Sequence, residues 1–345
     1  MNSMQRIMAT LQGKPADRRA VSLTLPLYGA RLTGCDLSEY YTNPAAYARG
    51  QSAVLATFQP DILFGPFSLP LEGAAFGSHV RFFENQPPNL EHPAISSVSE
   101  IGQLIVPDVD SHPGLAYFRE AIRLMVSEHG HTVPVASVAL SPIDLPAMIL
   151  GIEGWLQTLL FDEAGAKRML ELTIPHFVRW MNALFSEGAM FAVLPAGFAN
   201  PSIVTREIAA EITVPAMREA LSEVTFPIFI HSAGSPLARF LDSFAGLPNV
   251  AGFVLNGGDS FAEAREKVGP EPILVGNIDG PSLFTQKREG VRADCLAALR
   301  DRRDDPRFVL GTCGSDIGFD TPRENIDIFR EAAEAFAKGG SVQRQ

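Results

Sequence analysis

Phe226-Pro-Ile-Phe-Ile-His231-Ser-Ala-Gly234 is the stretch whose reading decides the fold: a short apolar run delivers one histidine and then stops on a glycine turn. The same order of residue types recurs downstream in Gly252-Phe-Val-Leu-Asn256-Gly-Gly, Pro272-Ile-Leu-Val-Gly-Asn277-Ile-Asp279 and Phe308-Val-Leu-Gly-Thr-Cys313-Gly-Ser315-Asp316. Short unbroken apolar runs bounded by Gly, Pro and Asn mark strands covered on both faces, as in a parallel sheet. Polar groups at their carboxyl ends put the chemistry at one rim.

Upstream, Arg18-Arg-Ala-Val-Ser-Leu-Thr-Leu25 reads as the first strand, ending at Pro26, and Asp61-Ile-Leu-Phe64 as the second, closed by Gly65-Pro66. Val133 to Ala139 and Phe191 to Leu194 follow as strands three and four, and the last four fall at 227–230, 251–255, 272–275 and 307–310. Helical periodicity fills the intervals: 44–58, 111–129, 146–160, 163–187, 206–221, 235–244, 260–267 and 286–300. A final helix opens at Thr321-Pro322-Arg-Glu324 with the pattern of a capping box, carries Ile326, Phe329, Ala333 and Phe336 on one face, and ends at Gly339-Gly340. Eight strands with intervening helices predict a (β/α)8 TIM barrel, one domain over residues 1–345. Residues 2–12 add an N-terminal helical extension, and 66–98, rich in Gly, Pro and Asn with a hairpin near Val80 to Phe83, form a long rim insertion after strand two of the kind that makes lids. An open doubly wound sheet is the rival, disfavoured because no glycine-rich phosphate loop follows the first strand.

A chain of 345 residues that is 46% hydrophobic can bury a large core, and its net charge of −11 sets it against phosphate-bearing partners, so neither nucleic acid nor an anionic membrane is expected. Three scattered cysteines, Cys35, Cys295 and Cys313, make no disulfide framework, and Met1 to Thr10 lacks the apolar run of a signal peptide. The apolar region 133–160 is broken by Pro142, Asp144, Pro146 and Glu153 and cannot span a bilayer as one helix. A cytoplasmic enzyme is the expectation; a homodimer is compatible with it.

His231, one residue past a strand, suits a metal ligand or an acid/base, or else a histidine tied to a neighbouring loop. Cys313 ends a strand of the same barrel, and a thiolate beside an imidazole is a zinc-like pair, although two ligands fall short of a zinc site; a small buried filler is the plainer reading. Asn200, Asn256, Asn277 and Asp279 stand at strand ends or in the turns after them and together can grip the edge of a flat heterocycle, or simply form turns and caps. Glu72 and Glu91-His92-Pro93 lie in the rim segment, where solvated charges are the ordinary account, and Tyr28 with Arg31 can reach an anionic substrate group.

These residues also carry a resemblance. Leu71-Glu-Gly-Ala-Ala-Phe-Gly77, Pro87-Pro88 with Glu91-His92-Pro93, the helical stretch after Ser141-Pro142, His231-Ser-Ala-Gly234, Gly276-Asn277-Ile-Asp279 and Cys313 followed by Thr321-Pro322-Arg-Glu-Asn325 resemble the uroporphyrinogen decarboxylase superfamily, and within it the corrinoid-dependent methyltransferases, from about Arg6 to Lys338. The resemblance implies a (β/α)8 barrel working at its carboxyl rim. Decarboxylases of the family hold their substrate with an arginine-rich segment after the first strand and an aspartate soon after the second; here stand Pro26-Leu-Tyr-Gly-Ala-Arg31 and Phe64-Gly-Pro-Phe67, against tetrapyrrole decarboxylation. Thiol-methylating members build zinc from a His-x-Cys pair and a distant cysteine; His231 and Cys313 match the outer positions, but the middle one is Ala233. Zinc then needs Glu72 or Asp316 to complete it. The sequence reading therefore favours methyl transfer between methylcobalamin on a corrinoid protein and tetrahydrofolate, with Asn200, Asn277 and Asp279 at the pterin edge and Asp279 or His231 as acid. Zinc-assisted transfer to a small thiol, a lyase on a smaller acid, and a non-catalytic binding relative are the alternatives.

Overall fold

The computed structural model describes residues 1–342. The strands of its main sheet are β1 (Val21–Ser22), β2 (Leu63–Phe64), β3 (Val135–Val138), β4 (Phe191–Pro195), β5 (Ile228–His231), β6 (Val250–Val254), β7 (Ile273–Asp279) and β8 (Phe308–Cys313). They form one parallel sheet in the order β1-β8-β7-β6-β5-β4-β3-β2. The two outer strands meet through Asp61: its N–H donates to the Val21 carbonyl at 2.8 Å, and its carboxylate accepts from the Val21 N–H at 2.7 Å. The sheet thus curls on itself as a TIM-barrel-like α/β fold, with Phe64, Val138, Val193, Phe229, Val254, Val275 and Val309 packed together inside.

Asp61 is wholly buried and gathers charge as well as backbone. It accepts from Arg6 Nη1 at 2.6 Å, Arg18 Nη1 at 2.6 Å and Ser3 Oγ at 2.9 Å, so two guanidinium groups lie over the seam between β1 and β2. Helix Ser3–Leu11 is held in place by the same contacts, and its amino end carries a reciprocal cap between Asn2 and Gln5. Ile7, Thr10 and Leu11 of this helix close the amino-terminal end of the ring over an apolar void of about 30 Å³.

Several elements differ from the sequence expectation, each for a local reason. Only Val21–Ser22 of the run 18–25 enters the ladder. The helix expected at 146–160 is two, Leu145–Ile149 and Ile152–Phe161, split where Gly151 takes a φ of +84°. The helix over 206–221 contains a wide turn at Ala209–Thr213, just ahead of Pro215, whose ring cannot sit against the carbonyl four residues back. Residues 238–244 form a 3₁₀ segment rather than an α-helix. β7 and β8 run on to Asp279 and Cys313, so the polar residues expected in turns are partly on strands. The capping box at Thr321 does not form: its hydroxyl is buried without a partner, and its carbonyl instead accepts from Tyr28. The last helix, Arg323–Val342, continues past Gly339-Gly340. The hairpin between β2 and β3 is present as His79–Arg81 against Asn89–His92. Among the described residues no helix is long and apolar enough to cross a membrane.

Candidate functional site

Because all eight strands run the same way, their carboxyl ends converge. Ser22, Phe64, Val138, Val193, Pro195, His231, Val254, Val275 and Thr312, drawn from every strand, line one small cavity together with Thr24, Phe67 and Gly314. It has a volume of about 40 Å³, and Thr24, Phe67, His231 and Gly314 are its partly exposed members. At roughly 10–15 Å³ per water it holds a few waters, far less than the roughly 300–1,000 Å³ of a pocket that encloses a drug-sized ligand.

His231 is the one titratable group on this wall. The turn behind it is tight, with Ala233 at φ +52° and Gly234 at +83°, and this brings the Ala233 N–H back onto His231 Nδ1 at 3.0 Å. Nδ1 therefore accepts, the ring proton belongs on Nε2, and the ring also hydrogen-bonds the Gly314 backbone across the mouth. Burial pushes the imidazole down to about 4, only partly countered by Gly314, so it is neutral near pH 7.

Cys313 is buried and does not line the cavity; its sulfur meets the Gly257 N–H beside Asp279, and burial first, then Asp279, pushes the thiol up to about 12. His231 and Cys313 thus reach the same rim, joined through the Gly314 turn, but Nδ1 of the imidazole is taken by the Ala233 N–H and Ala233 offers no donor atom. Among the described residues no three His, Cys, Asp or Glu side chains gather into a set that could hold a metal ion. The residues present do not fit a zinc site.

The amide constellation makes internal hydrogen bonds, and none of its members lines this cavity. Asn200, fully buried, donates from Nδ2 to the Pro236 carbonyl at 3.1 Å and accepts from Ser202 N–H at 2.9 Å. Asn256 accepts from Gly258 N–H at 3.0 Å in a local turn. Asn277 donates to the Asp259 carbonyl at 2.9 Å, and Asp279 accepts from Ser282 N–H at 3.0 Å. Tyr28 is buried with its hydroxyl donating to the Thr321 carbonyl at 3.0 Å, and Arg31 donates to Phe319 and Thr321 carbonyls, so neither faces the cavity. Glu72 is no solvated loop charge: on the short helix Leu69–Ala74 it is 2% exposed, accepts from Leu140 N–H and Trp180 Nε1 at 3.0 Å each, and is pushed up to about 8 by burial. It lies under the β3 loop, away from the cavity lining.

Three carboxyl groups at this rim matter structurally beyond what the sequence reading singled out for them. Asp259 accepts from the backbone N–H groups of Leu237, Ala238 and Asn256 at 2.8–2.9 Å, stitching the loops after β5 and β6 together. Asp144 accepts from Ser141 Oγ and from Phe198 N–H, and burial pushes it up to about 7. Asp316 accepts from Leu27 N–H at 3.1 Å, fixing the segment after β1, and burial pushes it up to about 8. The hydroxyls of Ser22, Thr24 and Thr312 went unnoticed because a serine or threonine inside an apolar run reads as strand filler.

Residues 2–336 match the profile of the family described as Uroporphyrinogen decarboxylase (URO-D). The chain is 23% identical over 345 residues to the Methylcobamide:CoM methyltransferase MtaA of Methanosarcina barkeri, covering 96% of this chain and 97% of that one. It is 24% identical over 366 residues to the Uroporphyrinogen decarboxylase of Coxiella burnetii (strain Dugway 5J108-111), covering 96% and 95%. Its structure superposes on a solved methyltransferase from Methanosarcina mazei with a TM-score of 0.85 at 18% identity, over 97% of this chain and 99% of the other, a likeness of fold.

Proposed function

The chain belongs to the uroporphyrinogen decarboxylase family, and on that premise we propose that it is a corrinoid-dependent methyltransferase that passes a methyl group from a methyl-corrinoid on a partner protein to a small thiol. Likeness over nearly the whole chain to a methylcobamide:CoM methyltransferase supports the donor. The lone Arg31, hydrogen-bonded to backbone carbonyls, stands against a tetrapyrrole bearing several carboxylates. In the same reading residues 1–345 act as one unit, helix Ser3–Leu11 is an N-terminal extension, and 66–98 are a rim insertion.

The observation that carries the acceptor class is the size of the cavity at the strand ends. About 40 Å³, mostly walled by Phe, Val and Pro, suits a sulfur and its first carbon and not a fused pterin ring. Neither Asn200 nor Asn277, the amides expected at a pterin edge, lines that cavity. What this chain contributes is position and dryness: a rigid ring of strands lets one slender nucleophile reach the rim, where the donor's methyl must arrive, and keeps water out.

The reading is tested by following the cobalt absorbance of methylcobalamin in the presence of the protein and either 2-mercaptoethanol or tetrahydrofolate. Demethylation with the thiol and none with the folate is expected. Demethylation with folate alone would overturn the acceptor assignment, and none with either would overturn the activity.

A further inference from the structure

The cavity has a polar side that neither the family likeness nor the zinc pattern accounts for. Its hydroxyl groups come from Ser22, Thr24 and Thr312, on or just beyond the adjacent strands β1 and β8, while most of the remaining wall is apolar. Thr312 Oγ1 accepts from the Thr24 N–H at 3.0 Å and lies 3.2 Å from Thr24 Oγ1, to which it donates. Thr24 Oγ1 therefore accepts, and its own proton is left to donate into the cavity. Ser22 Oγ donates to no protein group among the described residues, and Ser22 is 5% exposed.

Resting on the thiol reading above, we propose that Ser22 and Thr24 hold the acceptor's sulfur as its thiolate by two hydroxyl hydrogen bonds, with Thr312 as the positioning residue for Thr24. A hydroxyl donor aimed at an anion from an apolar wall is worth more than the same donor in water. The thiol's proton leaves to water before entry, so the species that enters is the thiolate in equilibrium with the free thiol. In the transfer the sulfur supplies the electron pair for the new sulfur–carbon bond. The cobalt–carbon bond breaks with its pair left on the donor's cobalt, which is reduced by two electrons.

The test uses the full chain with free methylcobalamin and 2-mercaptoethanol, in wild type and in Thr24→Val, Ser22→Ala and Thr24→Ser. Bound thiolate is titrated by its ultraviolet absorbance, kcat/KM is measured against pH, zinc is measured after dialysis against a chelator, and thermal melts check folding. We expect metal-free wild type to demethylate the cobalt and to bind the thiol with its pKa below that of the same thiol free in solution. Thr24→Val and Ser22→Ala should each raise that pKa by about one unit or more and lower kcat/KM by roughly tenfold to a hundredfold, the range for a hydrogen bond to a charged group. Thr24→Ser, which keeps the hydroxyl, should bring the pKa back toward wild type. A bound pKa that neither variant moves overturns the hydroxyl assignment while leaving the thiol reading intact, as does stoichiometric zinc whose removal abolishes turnover. A wild type that leaves methylcobalamin unchanged with the thiol takes both down together.

Discussion

Replacing Asp61 by Asn should loosen the ring at its seam, and the cost can be worked from the contacts. The carboxylate is wholly buried and takes hydrogen bonds from Ser3 Oγ, from Arg6 Nη1 and Arg18 Nη1, both at 2.6 Å, and from the Val21 N–H. An amide keeps one good acceptor, turns its NH₂ toward a guanidinium, and leaves two mostly buried arginines without that counter-charge; Arg6 retains Asp17. Breaking a buried pair by removing one partner costs about 3–5 kcal/mol. At about 2.1 cal/mol/K per residue, a chain of 345 residues unfolds with roughly 0.7 kcal/mol/K, so the melting temperature should fall by about 4–7 °C. Asp17→Asn is the control: Asp17 is 41% exposed, and its pair should be worth about 1 kcal/mol or less. Equilibrium urea unfolding and hydrogen exchange at the Val21 amide, protected by Asp61 in the wild type, read the two effects together. Equal losses in the two variants, or an unchanged Val21 exchange rate, would refute the role given to this carboxylate.

Stability should fall as pH rises from about 4 toward 8. Burial raises Glu72 from 4.5 to about 8, Asp144 from 3.8 to about 7 and Asp316 from 3.8 to about 8, so the folded chain keeps protons that the unfolded chain has released. Their stabilisation is complete below the unfolded values and is lost through the folded ones; urea midpoints across this range check it, and Glu72→Gln should flatten the slope. Gly252→Ala should destabilise the barrel by about 1–3 kcal/mol or more, since its methyl would lie 2.5 Å from the Ile273 carbonyl oxygen and 2.6 Å from the Phe229 ring; a melt unchanged from wild type would contradict the packing between β5, β6 and β7.

The parallel α/β sheet was legible because each strand is an apolar run ended by small or polar residues, and the order of strand and helix leaves few topologies. The seam was not: β1 contributes two residues, and what closes it is one residue, Asp61, through its N–H and its carboxylate, whose partners Arg6, Arg18 and Val21 lie 40 or more residues away. The site was legible as a rim, and His231 lies on it, but residue type misled on roles. Asn200, Asn256 and Asn277 each bond a neighbouring backbone group, which residue type alone does not reveal. Glu72 sits in a segment that reads as exposed, and only the packing of its helix beneath Leu140 and Trp180 shows otherwise. Nothing in a linear pattern marks Thr24 and Thr312 as neighbours, since the pair is 288 residues apart.

That separation bears on assembly. The hydroxyl wall is built from the earliest strand and the latest, so it exists only once β8 has docked beside β1. A chain still emerging from the ribosome, or one clipped before Phe308, can bury much of its apolar surface and still lack both Thr312 and the Gly314 turn that receives His231. If that wall holds the acceptor as proposed, completion of the fold and competence for chemistry are the same event.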